Sequence, residues 1–420
     1  MKNFRVSGGN KLEGVVQVSG SKNAALPIIA ASLLTSETTI LHNVPEIEDV
    51  YQMIAILNFL NVQTTFANNT LTIDPSRIEN KAIPHDLVCR MRASILLAGS
   101  LLARFKSLRM GFPGGCVLGK RSVDTHVFAF LDLGATLTES STEIILNAEK
   151  LSPSKITLSE FSVTGTENIL MASSLIQGKT EINIAAAEPH VIDLCEFLLK
   201  MGVVIEGIGT HKLVISGATD LKGVTHTIRG DYLEAGTFLL SGAVTGGEVE
   251  VQNCHPEDLV LFIQKLKEIG FEFQQTDSSV KILQPKQKLK PVSVKTGVHP
   301  GFPTDLLAPF TVLLCLIDGE SQIFETLFEG RFNYLFELEK LGANINLLNP
   351  HQAIIKGGHQ LYGLPVASCD IRAGAAIVLA TLAAEGESDI SNVYYIDRGY
   401  EKFDEKLRSL GAAIERFENS

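Results

Sequence analysis

One short pattern of apolar and polar positions returns six times along the chain: an apolar residue, two spacers, a second apolar residue, then Gly or Asn. It reads Leu57-Asn58-Phe59-Leu60-Asn61, Phe130-Leu131-Asp132-Leu133-Gly134 and Leu198-Leu199-Lys200-Met201-Gly202. It returns as Leu266-Lys267-Glu268-Ile269-Gly270, Leu338-Glu339-Lys340-Leu341-Gly342 and Leu407-Arg408-Ser409-Leu410-Gly411. The closing residues are spaced 68 to 73 positions apart. Near-constant spacing of this kind marks an internal repeat. Each phrase has the form of an amphipathic helix end, with the apolar pair on the core side and Gly or Asn in the left-handed C-cap. An apolar or alternating strand mostly follows, as in Ala343-Asn344-Ile345-Asn346-Leu347.

A second helix is expected upstream in each repeat, over Ala24–Leu34, Leu87–Ala103, Glu167–Ile176, Glu234–Ala243, Asp305–Leu316 and Gly374–Ala384. Ala, Leu, Ile, Ser and Gly dominate these segments, with few charges after the first turn. Helices that are apolar nearly all round belong in an interior. Each repeat therefore carries one buried helix and one half-exposed helix separated by strands. Three repeats make a domain with helices at its centre and sheets and outer helices around them. The first strand region, Phe4–Val18, precedes the first buried helix and is expected to pair with the sixth repeat.

Charged and polar residues gather at the starts of the buried helices: Lys22 and Asn23, Arg92, Ser162 and Thr164, Asp231 and Glu234, Asp305, and Arg372. Free N–H groups and the positive end of the dipole make a helix start favourable for anions. Any one of these residues reads equally well as an ordinary cap. Lys and Arg, however, suit that end of the dipole least, and ordinary capping does not account for their recurrence there.

At 420 residues, two domains are the default. The net charge of −11 argues against nucleic acid and anionic membrane as general partners, while leaving room for a local basic pocket. The chain opens without the apolar run of a signal peptide, and its longest nearly apolar run, Leu306–Ile317, is too short to span a bilayer. The six cysteines form no C-x-x-C pair, which fits a reducing cytoplasm without disulfides or a zinc site. Five lie in or beside apolar segments and read as buried thiols.

Cys116 differs. It lies in the segment 111–124, among Gly111, Gly114, Gly115 and Gly119, with Lys120 and Arg121 close by. Glycines at this density point to a mobile surface loop, and the positive charge favours a thiolate. A flexible turn with an incidental cysteine fits the local pattern equally well. Gly114–Lys120 also spells a nucleotide-binding phosphate loop, but Arg121 stands where that motif requires Ser or Thr.

The sequence resembles the UDP-N-acetylglucosamine 1-carboxyvinyltransferases, enolpyruvyl transferases of the EPSP synthase-like family, over essentially its whole length. The resemblance is carried by Ser21-Lys22-Asn23-Ala24-Ala25-Leu26-Pro27, Met91-Arg92-Ala93-Ser94, Gly114-Gly115-Cys116, Phe302-Pro303-Thr304-Asp305 and Ile396-Asp397-Arg398-Gly399-Tyr400-Glu401. It implies a two-domain inside-out α/β barrel of six βαβαββ-like repeats, three per domain. The implied split is a catalytic domain of 22–229, carrying the mobile loop 111–124, and a second domain of 1–21 joined with 230–420. The implied reaction transfers the enolpyruvyl group of phosphoenolpyruvate to the 3′-hydroxyl of UDP-N-acetylglucosamine and releases phosphate. That is the first committed step of peptidoglycan synthesis, and no metal or organic cofactor is required.

By the same resemblance Lys22, Arg121 and Arg398 hold phosphoenolpyruvate, and Asn23 contacts the substrates. Arg92, Arg121, Ser122, Val123, Asp124, Thr125, Ser162, Val163, Asp305 and Leu327 match positions that bind the UDP-sugar. Asp305 would accept the proton of the attacking hydroxyl. Cys116 matches a proton donor that also carries a covalent phospholactoyl adduct and reacts with the epoxide antibiotic fosfomycin. Arg331 and Arg372 are further candidates for stabilising charge. Several positions depart from the family pattern: Ser122 stands where Pro is usual, Ser162-Val163-Thr164-Gly165 replaces S-V-G-A, and Ala187 and Tyr232 stand where Arg is common. A 5-enolpyruvylshikimate-3-phosphate synthase-like transferase is the nearest alternative, and it lacks the Gly-Gly-Cys loop. The other is a non-catalytic UDP-sugar-binding paralogue, against which the joint presence of Lys22, Cys116, Asp305 and Arg398 argues.

Overall fold

The computed structural model describes residues 2–114 and 123–418. Cys116, Lys120, Arg121 and Ser122, and most of the expected mobile loop 111–124, therefore lie outside the described residues. The chain divides into two compact units, one built from 20–114 and 123–229, the other from 2–19 and 230–418.

All six repeat phrases end as their pattern predicts. Asn61, Gly134, Gly202, Gly270, Gly342 and Gly411 have φ of +65°, +95°, +112°, +126°, +103° and +104°. Each closes an outer helix: Glu48–Phe59, Asp124–Asp132, Pro189–Met201, Val260–Ile269, Asn333–Lys340 and Phe403–Ser409. A strand follows every one, at Gln63–Ala67, Thr136–Thr138, Val204–Glu206, Glu272–Gln275, Asn344–Asn349 and Ala413–Glu418.

The buried helices lie at the centre of each unit. In the first unit they are Lys22–Ala31, Leu97–Phe105 and Val163–Ser173. In the second they are Tyr232–Thr245, Thr304–Leu316 and Ile371–Ala383, packed pairwise on one another. The second of these is buried without a break from Leu306 to Cys315 and the third from Arg372 to Leu382. Close approach is steric as well as hydrophobic: a Cβ on Gly99 would lie 2.4 Å from the Asn168 carbonyl oxygen of the neighbouring helix.

Expected helix 87–103 is broken into His85–Val88, a 3-10 turn Arg92–Leu96 and Leu97–Phe105. Met91 is extended, with φ −146° and ψ 125°. The Val88 carbonyl accepts from the Ser94 hydroxyl (3.0 Å) and the Gly114 N–H (3.4 Å) rather than from a continuing helix.

Among the described residues, six sheets surround the helices. In five, one pair of neighbouring strands runs parallel: Lys155–Thr157 with Lys179–Asn183, Val294–Lys295 with Gly319–Phe324, Val366–Ala367 with Glu387–Ser391, Gly14–Gln17 with Val249–Gln252, and Thr225–Thr227 with Thr39–His42. A central helix lies between the first three pairs in sequence, as a parallel crossover requires. In the sixth sheet that parallel partner shrinks to a single bridge, Ile83 to Met110. Helices inside and open sheets outside give the inside-out α/β architecture.

Lys2–Ser7 pairs with Glu387–Ser391 and Ala413–Glu418, so the chain start completes the sixth repeat as expected. Gly14–Gln17 instead joins the fourth. Between the two strands, Gly8 packs so tightly on the end of the Ile371–Ala383 helix that a Cβ would lie 2.0 Å from the Ala384 carbonyl oxygen. Of the cysteines expected to be buried, Cys195, Cys254 and Cys315 are, whereas Cys89 and Cys369 are half-buried. Among the described residues no helix is long and apolar enough to cross a membrane.

Candidate functional site

In the second unit the starts of all three central helices converge. Asp231 caps Tyr232–Thr245 by accepting the N–H groups of Leu233 (2.8 Å) and Glu234 (3.2 Å). Asp370 caps Ile371–Ala383 by accepting those of Arg372 and Ala373, both at 2.8 Å. Asp305 lies in the first turn of Thr304–Leu316. Arg372 joins them, with Nε 3.4 Å from Asp305 Oδ2 and Nη2 3.9 Å from Asp231 Oδ2. Arg331 Nη1 lies 3.0 Å from the other oxygen, Asp305 Oδ1. Two guanidinium groups thus flank one carboxylate.

Arg372 is buried, and its guanidinium stacks 4.9 Å from the centre of the Tyr400 ring. Burial alone would discourage its charge. Tyr400, Asp231 and Asp305 more than offset that, and its pKa is raised above the ordinary arginine value. Arg372 Nη1 and Nη2 and Arg331 Nε are buried without a hydrogen-bond partner among the described residues. Buried donors in that condition are costly unless an acceptor reaches them. A small depression beside them is lined by Thr304, Glu325, Arg331, Asp370 and Arg372.

The motif around Arg398 sits against the same helix start. A Cβ on Gly399 would lie 2.4 Å from Ile371 Cγ2, so only glycine lets this turn approach. Asp397 is drawn away into a two-pronged pair with Arg416, at 2.7 and 2.9 Å. Arg398 itself is buried.

Sequence reasoning missed Glu325. Fully buried, it accepts from the Thr304 hydroxyl (2.6 Å) with one oxygen, and from the Thr296 hydroxyl (3.1 Å) and the Leu327 and Phe328 N–H groups (2.8 and 3.2 Å) with the other. It ties Leu327 to the start of the Asp305 helix. Glu234, read with the polar residues that gather at the helix starts, does something else: its carboxylate bonds Lys406 (2.6 Å) and the Ser19 N–H (3.2 Å).

In the first unit the 3-10 turn that opens with Arg92 touches both the Lys22–Ala31 and Val163–Ser173 helices. Lys22, the first residue of its helix, pairs with buried Asp49 at 3.5 Å. Asn23 beside it is half-buried. Ser162 is the N-cap of Val163–Ser173 and accepts from Gly165 N–H at 3.1 Å, so its hydroxyl oxygen serves as the cap that sequence reasoning offered as the plain alternative. Val163, half-buried, begins that helix; Val123 is the N-cap of Asp124–Asp132, and Asp124 lies in its first turn. Thr125 donates to Glu160 Oε1 at 3.1 Å. Arg92 feels burial first, which lowers its pKa, and Glu160 opposes the shift.

His126 was also missed. Its Nδ1 lies 2.9 Å from Asn168 Nδ2 and its Nε2 3.2 Å from the Thr164 hydroxyl. Because an amide NH2 can only donate, Nδ1 is the acceptor and Nε2 carries the proton. Burial, with Arg92 adding to it, pushes the pKa down to about 4. Thr164, a departure from the family pattern, thereby has a defined partner. Ala187 and Tyr232, two further departures, are buried.

Residues 6–407 match the family model described as EPSP synthase (3-phosphoshikimate 1-carboxyvinyltransferase). The chain belongs to the EPSP synthase family. It is 42% identical over 417 residues to a UDP-N-acetylglucosamine 1-carboxyvinyltransferase of Magnetococcus marinus, covering 99% of each chain. It is 43% identical over 417 residues to UDP-N-acetylglucosamine 1-carboxyvinyltransferase 2 of Carboxydothermus hydrogenoformans, again over 99% of each. The resemblance read from the motifs is borne out by these relatives. Among solved structures the chain is similar to the enolpyruvyl transferase NikO from Streptomyces tendae, with a TM-score of 0.89 at 23% identity over 100% of this chain and 99% of that one. It is similar also to EPSP synthase from Acinetobacter baumannii, at 0.77 and 18% over the full length of both. At these identities the structural likeness is one of fold, and it confirms the family's two-domain α/β architecture.

Proposed function

We propose that the protein transfers the enolpyruvyl group of phosphoenolpyruvate to the 3′-hydroxyl of UDP-N-acetylglucosamine and releases phosphate. The observation that carries this reading is the 42–43% identity, over 99% of the chain, to proteins named for that acceptor and that transfer. The site chemistry supports it, because both substrates are anionic and both units present cations at helix starts. Charge-assisted contacts from Arg and Lys suit phosphate and carboxylate groups.

In this reading Lys22, Arg121 and Arg398 hold phosphoenolpyruvate. Asn23, Arg92, Arg121, Ser122, Val123, Asp124, Thr125, Ser162, Val163 and Leu327 contact the UDP-sugar. Addition comes first: the sugar hydroxyl oxygen bonds to C2 of phosphoenolpyruvate, Asp305 takes the hydroxyl proton, and Cys116 delivers a proton to C3. Elimination comes second: C3 returns a proton to the Cys116 thiolate, the C2–O bond breaks and phosphate leaves with the proton that Asp305 took up, and the double bond re-forms in the enolpyruvyl ether. Arg331 and Arg372 hold Asp305 in place, and their N–H groups that have no partner among the described residues are available to developing negative charge. The reaction takes place in the cytoplasm, at the entry to peptidoglycan synthesis.

Phosphate release from phosphoenolpyruvate, measured with and without UDP-N-acetylglucosamine, tests the proposal. Release should depend on the sugar nucleotide. Release with shikimate 3-phosphate in its place would favour the rival transferase, and no release with either would favour a binding protein.

A further inference from the structure

The chain passes between its two units after residue 19 and again after 229, and the two passages are built alike. At the first, Val18 N–H donates to the Gln252 carbonyl (3.1 Å) and Asn253 Nδ2 donates to the Val18 carbonyl (3.0 Å). At the second, 210 residues on, Ile228 N–H donates to the His42 carbonyl (2.9 Å) and Asn43 Nδ2 donates to the Ile228 carbonyl (2.8 Å). Asn43 and Asn253 both adopt the left-handed conformation, with φ of +56° and +61°. Apart from glycine, Asn and Asp enter that region most readily.

Each left-handed Asn also forms the floor under a glycine. A Cβ on Gly20 would lie 1.7 Å from the Asn43 carbonyl oxygen, and one on Gly230 would lie 1.7 Å from that of Asn253. The next residues are fixed reciprocally: Ser21 N–H donates to the Arg229 carbonyl (2.7 Å), and Asp231 N–H donates to the Ser19 carbonyl (2.9 Å). The residues giving those carbonyls are themselves anchored. Ser19 is held by Glu234 and by Lys406, whose Nζ lies 2.6 Å from its hydroxyl. Arg229 N–H is held by Asp193 Oδ2 at 3.0 Å, and the other oxygen of Asp193 bonds His226 at 2.8 Å.

Each socket leads directly into a central helix that starts with a site residue. Lys22 opens one helix, and Asp231 caps the other and faces Arg372. We propose that Asn43 and Asn253 are positioning residues, the first for Lys22 and the second for Asp231. The proposal rests on the reading of Lys22 as a phosphoenolpyruvate ligand and of the Asp231–Arg372–Asp305 chain as catalytic support. The two Asn residues act through the backbone, so their effects on the reaction differ. Loosening the Asn43 socket shifts Lys22 and weakens phosphoenolpyruvate binding. Loosening the Asn253 socket shifts Asp231, and through Arg372 disturbs Asp305.

Asn43→Asp and Asn253→Asp test this. Asp keeps the size and the tolerance of positive φ but replaces the Nδ2 donor by an oxygen facing a carbonyl. Two measurements are made on the full-length protein: hydrogen–deuterium exchange of peptides covering 20–26 and 230–236, and steady-state kinetics. Exchange should quicken in the adjoining peptide only. Asn43→Asp should raise the KM for phosphoenolpyruvate about tenfold with kcat within about twofold, and Asn253→Asp should lower kcat about tenfold with that KM held. Faster local exchange without the kinetic split overturns the proposal. So does faster exchange throughout a unit with equal loss of kcat in both variants, which marks a purely structural role. If the wild type releases no phosphate from the two substrates, the functional reading fails separately, and unchanged local exchange alone then overturns the positioning role.

Discussion

The guanidinium of Arg372 lies 3.4 Å from the carboxylate of Asp305, although the two residues stand 67 positions apart and begin different central helices. An arginine opposes the dipole at a helix start, and a carboxylate suits it. Bringing three such starts together lets the carboxylates hold the arginine, and the arginine in turn orients Asp305. For a residue proposed to take a proton, this places the base, while Arg372 Nη1 and Nη2 have no hydrogen-bond partner among the described residues.

Asp305→Asn should therefore nearly abolish turnover while leaving a folded protein, since the amide keeps the size of the side chain. A general base contributes roughly 10²–10⁴-fold, and kcat should fall by that order or more. Steady-state kinetics beside a thermal melt make the check. Near-normal kcat would remove Asp305 from the proton transfer.

His126 should make the protein sensitive to acid. Its folded pKa is about 4 against an ordinary 6.5, so the unfolded chain takes up the proton first as pH falls. Stability is lost between those two values, by on the order of 3 kcal/mol for a shift of this size. Urea unfolding of wild type and His126→Gln from about pH 7 to about pH 4 should show the steeper loss in the wild type. Parallel curves would contradict the buried neutral imidazole.

Glu167 should act in the opposite sense. It is buried in the Val163–Ser173 helix, its Oε1 has no hydrogen-bond partner among the described residues, and burial, reinforced by Glu188, raises its pKa well above the ordinary 4.5. The folded state therefore holds the proton longer, and stability falls as pH rises above the ordinary value. Glu167→Gln should match the wild type near about pH 4 and gain on it steadily toward about pH 8. A difference that does not change with pH would rule this out.

The cysteines should divide by reactivity. Burial pushes Cys195 and Cys315 up to about 12 and Cys254 up to about 11, so little thiolate is present at neutral pH. Cys116 lies between glycines and beside Lys120 and Arg121 in sequence. Fosfomycin should give one adduct, on Cys116, formed faster with UDP-N-acetylglucosamine present. Peptide mapping by mass spectrometry decides; labelling spread over the other cysteines, or none, would count against the assigned role.

The fold was legible to the extent that it is periodic. A helix end that needs a left-handed residue leaves a visible mark, and Asn61 and the five glycines mark all six repeats. Apolar segments likewise located five of the six central helices to within a few residues. The break at Met91 was not legible, because it goes with Gly114, from beyond the strand Ser107–Gly111, donating to the Val88 carbonyl. The candidate site was legible where charge stood against the helix dipole, as at Lys22, Arg92 and Arg372. It was not legible where a residue works through long-range hydrogen bonds. Glu325 and His126 follow no local pattern, and Glu234 shares its place at a helix start with Asp231 but turns toward Lys406.

Direct identification of the product tests the proposed transfer most plainly. Phosphoenolpyruvate and UDP-N-acetylglucosamine are incubated with the protein and followed by phosphorus and proton nuclear magnetic resonance. Enolpyruvyl transfer predicts inorganic phosphate and a UDP-sugar bearing a vinyl ether on its 3′ oxygen, formed in equal amounts. Phosphate without the vinyl ether, or an unchanged mixture, would contradict it.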